Sequence, residues 1–201
     1  MPRPAPPANP RSLPKGLPPI AVVVSRYNAS ITDLLLSGAV RAYTRAGGRV
    51  AGLYVAEAPG AFEILPLAAA AARSGHFAGV VAIGCIIKGE TIHDEVLAHA
   101  VTGGLANLAA ETGVPVGLAV LTVHTPKQAA ARAGGRLGNK GQEAMEAVLQ
   151  TMAECALLAD GRHVRRAMLA GQAMARVAGA AVSNRPDKAR RAAGKGRARG
   201  E

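Results

Sequence analysis

Tryptophan is absent from this 201-residue chain, and the aromatic set is two Phe and three Tyr. That scarcity excludes the rows of aromatic side chains on which single-stranded nucleic acids stack. The two cysteines, Cys85 and Cys155, form neither a CxxC pair nor a Cys/His cluster. A disulfide framework and a thiolate zinc site are therefore not expected, and no metal is assigned. No apolar run approaches the length of a membrane span, and the N-terminal stretch has no apolar core of the kind that signal peptides carry. A soluble protein of the reducing cytoplasm, with no membrane partner, is the expectation.

What is present is a small-residue and aliphatic chain with a formal charge of +11. The charge is unevenly spread. Residues 1–154 hold 13 Lys/Arg and 10 Asp/Glu, a net of +3, whereas residues 155–201 hold 11 and 3, a net of +8. The basicity belongs mostly to the tail, so it says little about what the folded part binds, and nucleic acid is not expected as its partner. Three regions follow: a Pro-rich disordered arm over 1–18, a folded domain over 19–158, and a basic, mostly disordered extension over 159–201. Within the extension, Val164 to Val182 could form a further helix, and 185–201 is a low-complexity Arg/Lys/Ala/Gly run.

Between these ends, short apolar runs alternate with helical patterns. Strands are expected at Ile20–Val24, Val50–Val55, Val80–Ile87 and Val116–Thr122. The first helix, capped by Ser30 or Thr32, carries an apolar face of Ile31, Leu34, Leu35, Val40 and Tyr43 and stops at Gly47-Gly48. Others run from Glu63 to about Arg73, from about His93 to Glu111, from Pro126 to the glycines at 134–138, and from about Gly141 to Leu158. Strands that alternate with helices predict a three-layer α/β/α, flavodoxin-like fold, with a four-stranded parallel sheet in the order 2-1-3-4. The first and third strands are then neighbours. Their ends carry Tyr27-Asn28 and Lys88 to His93, placed at the switch point where open α/β sheets bind ligands.

The junction Gly84 to His93 carries the first chemical signal. A buried strand ends, Gly89 permits a bend, and a helix begins, which leaves free N–H groups suited to an anion beside a histidine able to move protons. Taken on their own, the neighbouring residues have plainer readings. Thr91 is a helix cap, Glu63 a helix N-terminal carboxylate, Arg132 a solvated surface residue, Tyr27 a packed loop aromatic, and Lys88 a strand-end charge reaching water. His76 and His99 have no motif around them.

Seven short pieces lie in one order: Ser25-Arg26-Tyr27-Asn28, Pro59-Gly60-Ala61-Phe62-Glu63, Gly89-Glu90-Thr91-Ile92-His93, Val120-Leu121-Thr122, Gln128-Ala129, Arg132-Ala133-Gly134 and Gly138-Asn139-Lys140-Gly141. Through them, residues 19–154 resemble the 6,7-dimethyl-8-ribityllumazine synthases of riboflavin biosynthesis. The resemblance implies a transferase that condenses 5-amino-6-(D-ribitylamino)uracil with 3,4-dihydroxy-2-butanone 4-phosphate, releasing phosphate and water, with no cofactor. It assigns proton transfer to His93. Tyr27, Asn28, Ala61, Phe62, Glu63, Ile86, Ile87 and Leu118 would hold the pyrimidinedione and its ribityl arm. Gly89, Glu90, Thr91, Arg132 and Lys140 would hold the phosphate.

The same resemblance implies pentamers or multiples of them with sites between subunits, and it allows riboflavin synthase as a partner. Two departures stand out. Leu118 replaces an aromatic that relatives often place against a neighbouring subunit's pocket, and Tyr27 stands where Phe is frequent. The basic extension has no counterpart in the usual pattern. Together with Leu118 it motivates an alternative, a non-catalytic flavin- or pterin-binding or shell-forming paralogue of the same fold.

Overall fold

The computed structural model describes residues 16–161 together with Arg165, Met168, Leu169 and Gly171. Residues 1–15 of the expected arm lie outside the described residues. So do the helix expected over Val164–Val182, those four positions apart, and the run 185–201. One compact unit ends at Cys155 and a second begins at Ala156; every residue assigned to the site lies in the first.

Four strands form the sheet: β1 (Ile20–Ser25), β2 (Leu53–Ala58), β3 (Gly79–Ile87) and β4 (Val116–Val123), all parallel, in the order β2-β1-β3-β4. This is the expected order. Helices α1 (Ala29–Arg45), α2 (Ile64–Arg73), α3 (His93–Thr112), α4 (Pro126–Arg132) and α5 (Lys140–Ala159) surround it, and a small antiparallel hairpin, β5 (Ala133–Gly135) and β6 (Gly138–Asn139), joins the last two.

Parallel strands with helices on both faces must be apolar on both sides, and β1 and β3 are buried along almost their whole length. Alternate residues divide between two cores. Ile20, Val22, Val24, Val81, Ile83 and Cys85 pack with Leu35 and Tyr43 of α1 and Met145 and Val148 of α5. Ala21, Val23, Val80, Ala82 and Ile86 face α2 and α3 through Ile64, Ala68, Val101 and Leu105. Each fully buried Val, Ile or Leu contributes about 1.5–3 kcal/mol. With so few aromatics, close approach replaces bulk. A Cβ on Gly84 would lie 3.1 Å from Ile64 Cδ1, and one on Gly117 would lie 2.6 Å from the Ala144 carbonyl of α5.

Three local expectations are corrected. The run from Val50 begins not as a strand but as a one-turn 3-10 helix, Val50–Gly52, and β2 starts at Leu53. Neither Ser30 nor Thr32 caps α1: Asn28 precedes it in the left-handed conformation (φ 61°) without a side-chain cap bond. The buried Thr32 hydroxyl instead donates to the Ser25 carbonyl at 2.8 Å and ties the helix to the end of β1. Leu34, expected on the buried face, is exposed, because the buried stripe follows Ile31, Leu35, Gly38, Ala39, Ala42 and Tyr43. Gly48 does more than stop the helix, since a Cβ there would strike the Tyr43 ring.

Candidate active site

A crevice of about 770 Å³ opens at the C-terminal ends of β1 and β3, at the switch point of the sheet. Its walls come from three loop-to-helix junctions. The first is Arg26–Asn28. Arg26 donates from Nη1 to Asp33 at 2.7 Å and lies 3.8 Å from Glu57, and the hydrogen bond and charge of Asp33 push the guanidinium pKa up from its ordinary value. Asn28 is the only non-glycine residue with positive φ among the described residues. Its Nδ2 donates to the Cys85 carbonyl at 2.9 Å, which fastens this loop to β3. Tyr27, between those two anchors, is left 72 % exposed at the crevice.

The second junction, Gly60 to Glu63, precedes α2. Ala61 is buried, Phe62 is 57 % exposed, and Glu63 folds back so closely that a Cβ on Gly60 would lie 2.9 Å from its Oε2. Of five aromatic residues in the chain, two are thus spent on the rim of this crevice instead of in the core. That use of scarce aromatics points to a flat ligand.

The third junction closes the crevice from the side of β3. Ile86 and Ile87 end the strand, Lys88 N–H donates to the Val123 carbonyl at 2.8 Å, and the turn over Gly89–Ile92 leads into α3. His93 is the first residue of α3 and is exposed to the crevice; its N–H donates to Thr91 Oγ1 at 3.3 Å. Lys88 Nζ lies 3.2 Å from Glu95, so its charge is held by α3 at the rim. Burial raises the Cys85 thiol to about 11, so it stays protonated and inert behind the wall it helps form.

Of the residues singled out in the sequence, Tyr27, Asn28, Ala61, Phe62, Glu63, Ile86, Ile87, Gly89, Thr91 and His93 are brought together here. Glu90 is exposed beside them on the same turn but is not a lining residue. Leu118, Arg132 and Lys140 do not line this crevice. Leu118 is 48 % exposed on the edge strand β4. Arg132 ends α4 with Nη1 donating to the Gln128 carbonyl at 3.0 Å, and Lys140 opens α5 in an ion pair with Glu143. The hairpin rung Ala133–Asn139 nonetheless places Arg132 and Lys140 at flanking positions of the backbone. Asn139 locks that hairpin: Nδ2 donates to the Leu34 carbonyl at 2.8 Å and Oδ1 accepts from Gln142 N–H at 3.1 Å.

Gly60, Leu97 and Asp94 also line the crevice. Asp94 was not legible as a site residue, because a carboxylate in a first helical turn is ordinarily explained by the helix dipole alone. Among the described residues there is no group of three or more His, Cys, Asp or Glu able to hold a metal, and no helix long and apolar enough to cross a membrane.

The sequence of the chain matches those of known proteins. The family model for 6,7-dimethyl-8-ribityllumazine synthase matches residues 18–156. The chain is 44 % identical over 135 residues to 6,7-dimethyl-8-ribityllumazine synthase 1 of Caulobacter vibrioides, covering 67 % of this chain and 88 % of that protein. It is 44 % identical over 126 residues to the synthase of Thermus thermophilus, with 63 % and 80 % covered, and 38 % identical over 141 residues to that of Rhodopirellula baltica, with 70 % and 90 % covered. A family model matched over most of the chain, and relatives covered to 88 % and 90 % at 44 % and 38 % identity, place the chain in one family: it belongs to the 6,7-dimethyl-8-ribityllumazine synthases.

Proposed function

We propose that the crevice is where 5-amino-6-(D-ribitylamino)uracil condenses with 3,4-dihydroxy-2-butanone 4-phosphate, the lumazine-forming transferase step of riboflavin biosynthesis. The observation that carries this is the meeting of Tyr27, Phe62, Glu63 and His93, from three distant stretches, on one crevice of ligand size. The two aromatics offer faces to the pyrimidinedione, with the backbone of Ala61, Ile86 and Ile87 beside its edge. Asn28 shapes that wall, and Glu63 accepts hydrogen bonds from the ribityl hydroxyls. His93 moves protons as the 5-amino group attacks the ketone, water leaves to give the imine, phosphate is eliminated, and the ribitylamino nitrogen closes the ring on the remaining carbonyl with loss of a second water. Both substrates are reactive by themselves, so holding them together accounts for the larger share of the acceleration.

The phosphate is assigned to the turn Gly89, Glu90, Thr91 at the start of α3, which supplies N–H and hydroxyl donors. Arg132 and Lys140, which lie outside the crevice of their own chain, complete the phosphate side from a neighbouring copy, and Leu118 closes the pocket from the same neighbour. On this reading the working unit is a homopentamer or a multiple of one, in the cytoplasm, with each site shared by two subunits. The exposed edge strand β4, with Leu118 turned outward, supports that sharing. A non-catalytic paralogue is not favoured, since His93 stands at the crevice beside the aromatic pair.

The test is to incubate the purified full chain with both substrates while following lumazine absorbance and free phosphate together. The expected result is one phosphate released per lumazine formed. Tight binding of lumazine without phosphate release would instead establish the non-catalytic paralogue.

A further inference from the structure

Four polar side chains are buried among the described residues: Ser25, Thr32, Asp94 and Asn139. Thr32 serves the backbone at the end of β1, Asn139 that of α1 and α5, and Ser25 is sealed at the end of β1. Asp94 differs from all three. It is ionisable, only 8 % exposed, and lines the crevice. A carboxylate withdrawn from water is costly unless it is bonded, and one beside a phosphate subsite is also repelled by the phosphate. Its helix-start position offsets part of the first cost and none of the second.

The compensation lies in the turn. Gly89 N–H donates to Asp94 Oδ1 at 3.4 Å, a bond that spans Glu90, Thr91, Ile92 and His93 and closes the turn back onto α3. Few other contacts hold these residues. Lys88 N–H is fixed to Val123 at one end, the Thr91 hydroxyl accepts from His93 N–H at the other, and a Cβ on Gly89 would meet nothing within 4 Å. A turn so lightly held needs a clip if its residues are to present their donors in one direction.

We propose that Asp94 is a positioning residue for the phosphate subsite: by taking the Gly89 N–H it sets the turn so that the N–H groups of Glu90 and Thr91 face the ligand. This rests on the assignment of phosphate to that turn. Gly89 is then the hinge of the subsite, and Glu90 and Thr91 are its donors.

The experiment compares wild type, Asp94→Asn and Asp94→Ala in steady-state turnover, in direct titration with inorganic phosphate, and in thermal midpoint. Asp94→Ala is expected to raise the KM of the phosphate substrate and the Kd of inorganic phosphate about tenfold, with kcat and the other KM changed less than about threefold. Asp94→Asn keeps an oxygen acceptor and is expected to stay within about threefold of wild type throughout. If both variants bind phosphate as well as or better than wild type, the carboxylate only repels and the proposal fails. It fails equally if both KM values and the thermal midpoint worsen together in Asp94→Ala, because that marks a merely structural role. A wild-type protein that makes lumazine alongside either result overturns Asp94 alone. One that makes no lumazine and binds no phosphate overturns the reading of the crevice, and the role of Asp94 with it.

Discussion

His93→Ala is expected to lower kcat about 100-fold while leaving both KM values within a few-fold of wild type, near the low end of what losing a positioned acid or base costs. The histidine stands at the first position of α3 and lines the crevice; in the proposed mechanism it meets the reacting atoms there, while Tyr27 and Phe62 hold the ring. Loss of its imidazole removes proton transfer but neither substrate's seat. The remaining turnover comes from holding two reactive molecules together, which does not need the side chain. Arg132→Ala should show the opposite split, a raised KM for the phosphate substrate with a smaller change in kcat, because a guanidinium clamp acts mainly in binding. Lumazine absorbance at varied concentrations of each substrate separates the two cases. A large rise in KM for His93→Ala would reassign that residue to binding.

Gly141→Ala is expected to destabilise the fold by at least about 3 kcal/mol, and to leave much of the protein insoluble, because overpacking against backbone has no side chain to move aside. A Cβ at Gly141 would overlap the Leu35 carbonyl of α1, so α5 could keep its helix only by withdrawing from the core. Met145, Val148 and Leu149, buried on the same helix, would withdraw with it. Gly103→Ala, on the exposed side of α3 with nothing within 4 Å of the new methyl, provides the contrast. There the substitution is expected to be neutral or to stabilise by up to about 1 kcal/mol, through better helix propensity. Urea midpoints at equal slope measure both. Equal midpoints for the two variants would show that α1 and α5 are not packed as closely as described.

The sheet was legible because its strands are runs of Ile and Val bounded by polar loops, and runs buried on both faces need no alternation to be read. Its order followed from right-handed crossovers taken together with the common doubly wound arrangement. The crevice was legible for the same reason: once β1 and β3 are neighbours, Tyr27 and His93 must meet. What escaped was local backbone geometry. Val50 has the composition of a strand residue but falls in a 3-10 turn, since at a sheet edge the pairing register decides where a strand begins. The glycines from 134 to 138 read as an interruption, whereas they build a two-strand hairpin too short to show a period. Asp94 escaped because its partner is a backbone N–H, and no side-chain pattern reports where a backbone N–H points. Arg132 and Lys140 do not line the crevice of their own chain, and in the proposed shared site their relation to it is a matter between copies, beyond what one chain's fold encodes.

That relation is the centre of the account, and subunit mixing tests it most directly. His93→Ala and Arg132→Ala chains are co-expressed, the mixed assembly is purified, and its lumazine formation at limiting phosphate substrate is compared with each variant alone. If His93 and Arg132 of different copies build one site, about one site in four in a randomly mixed closed ring is whole again. Activity then rises well above either variant. A mixed assembly no more active than the mean of the two variants would show that each chain builds its site alone, and would contradict the shared site.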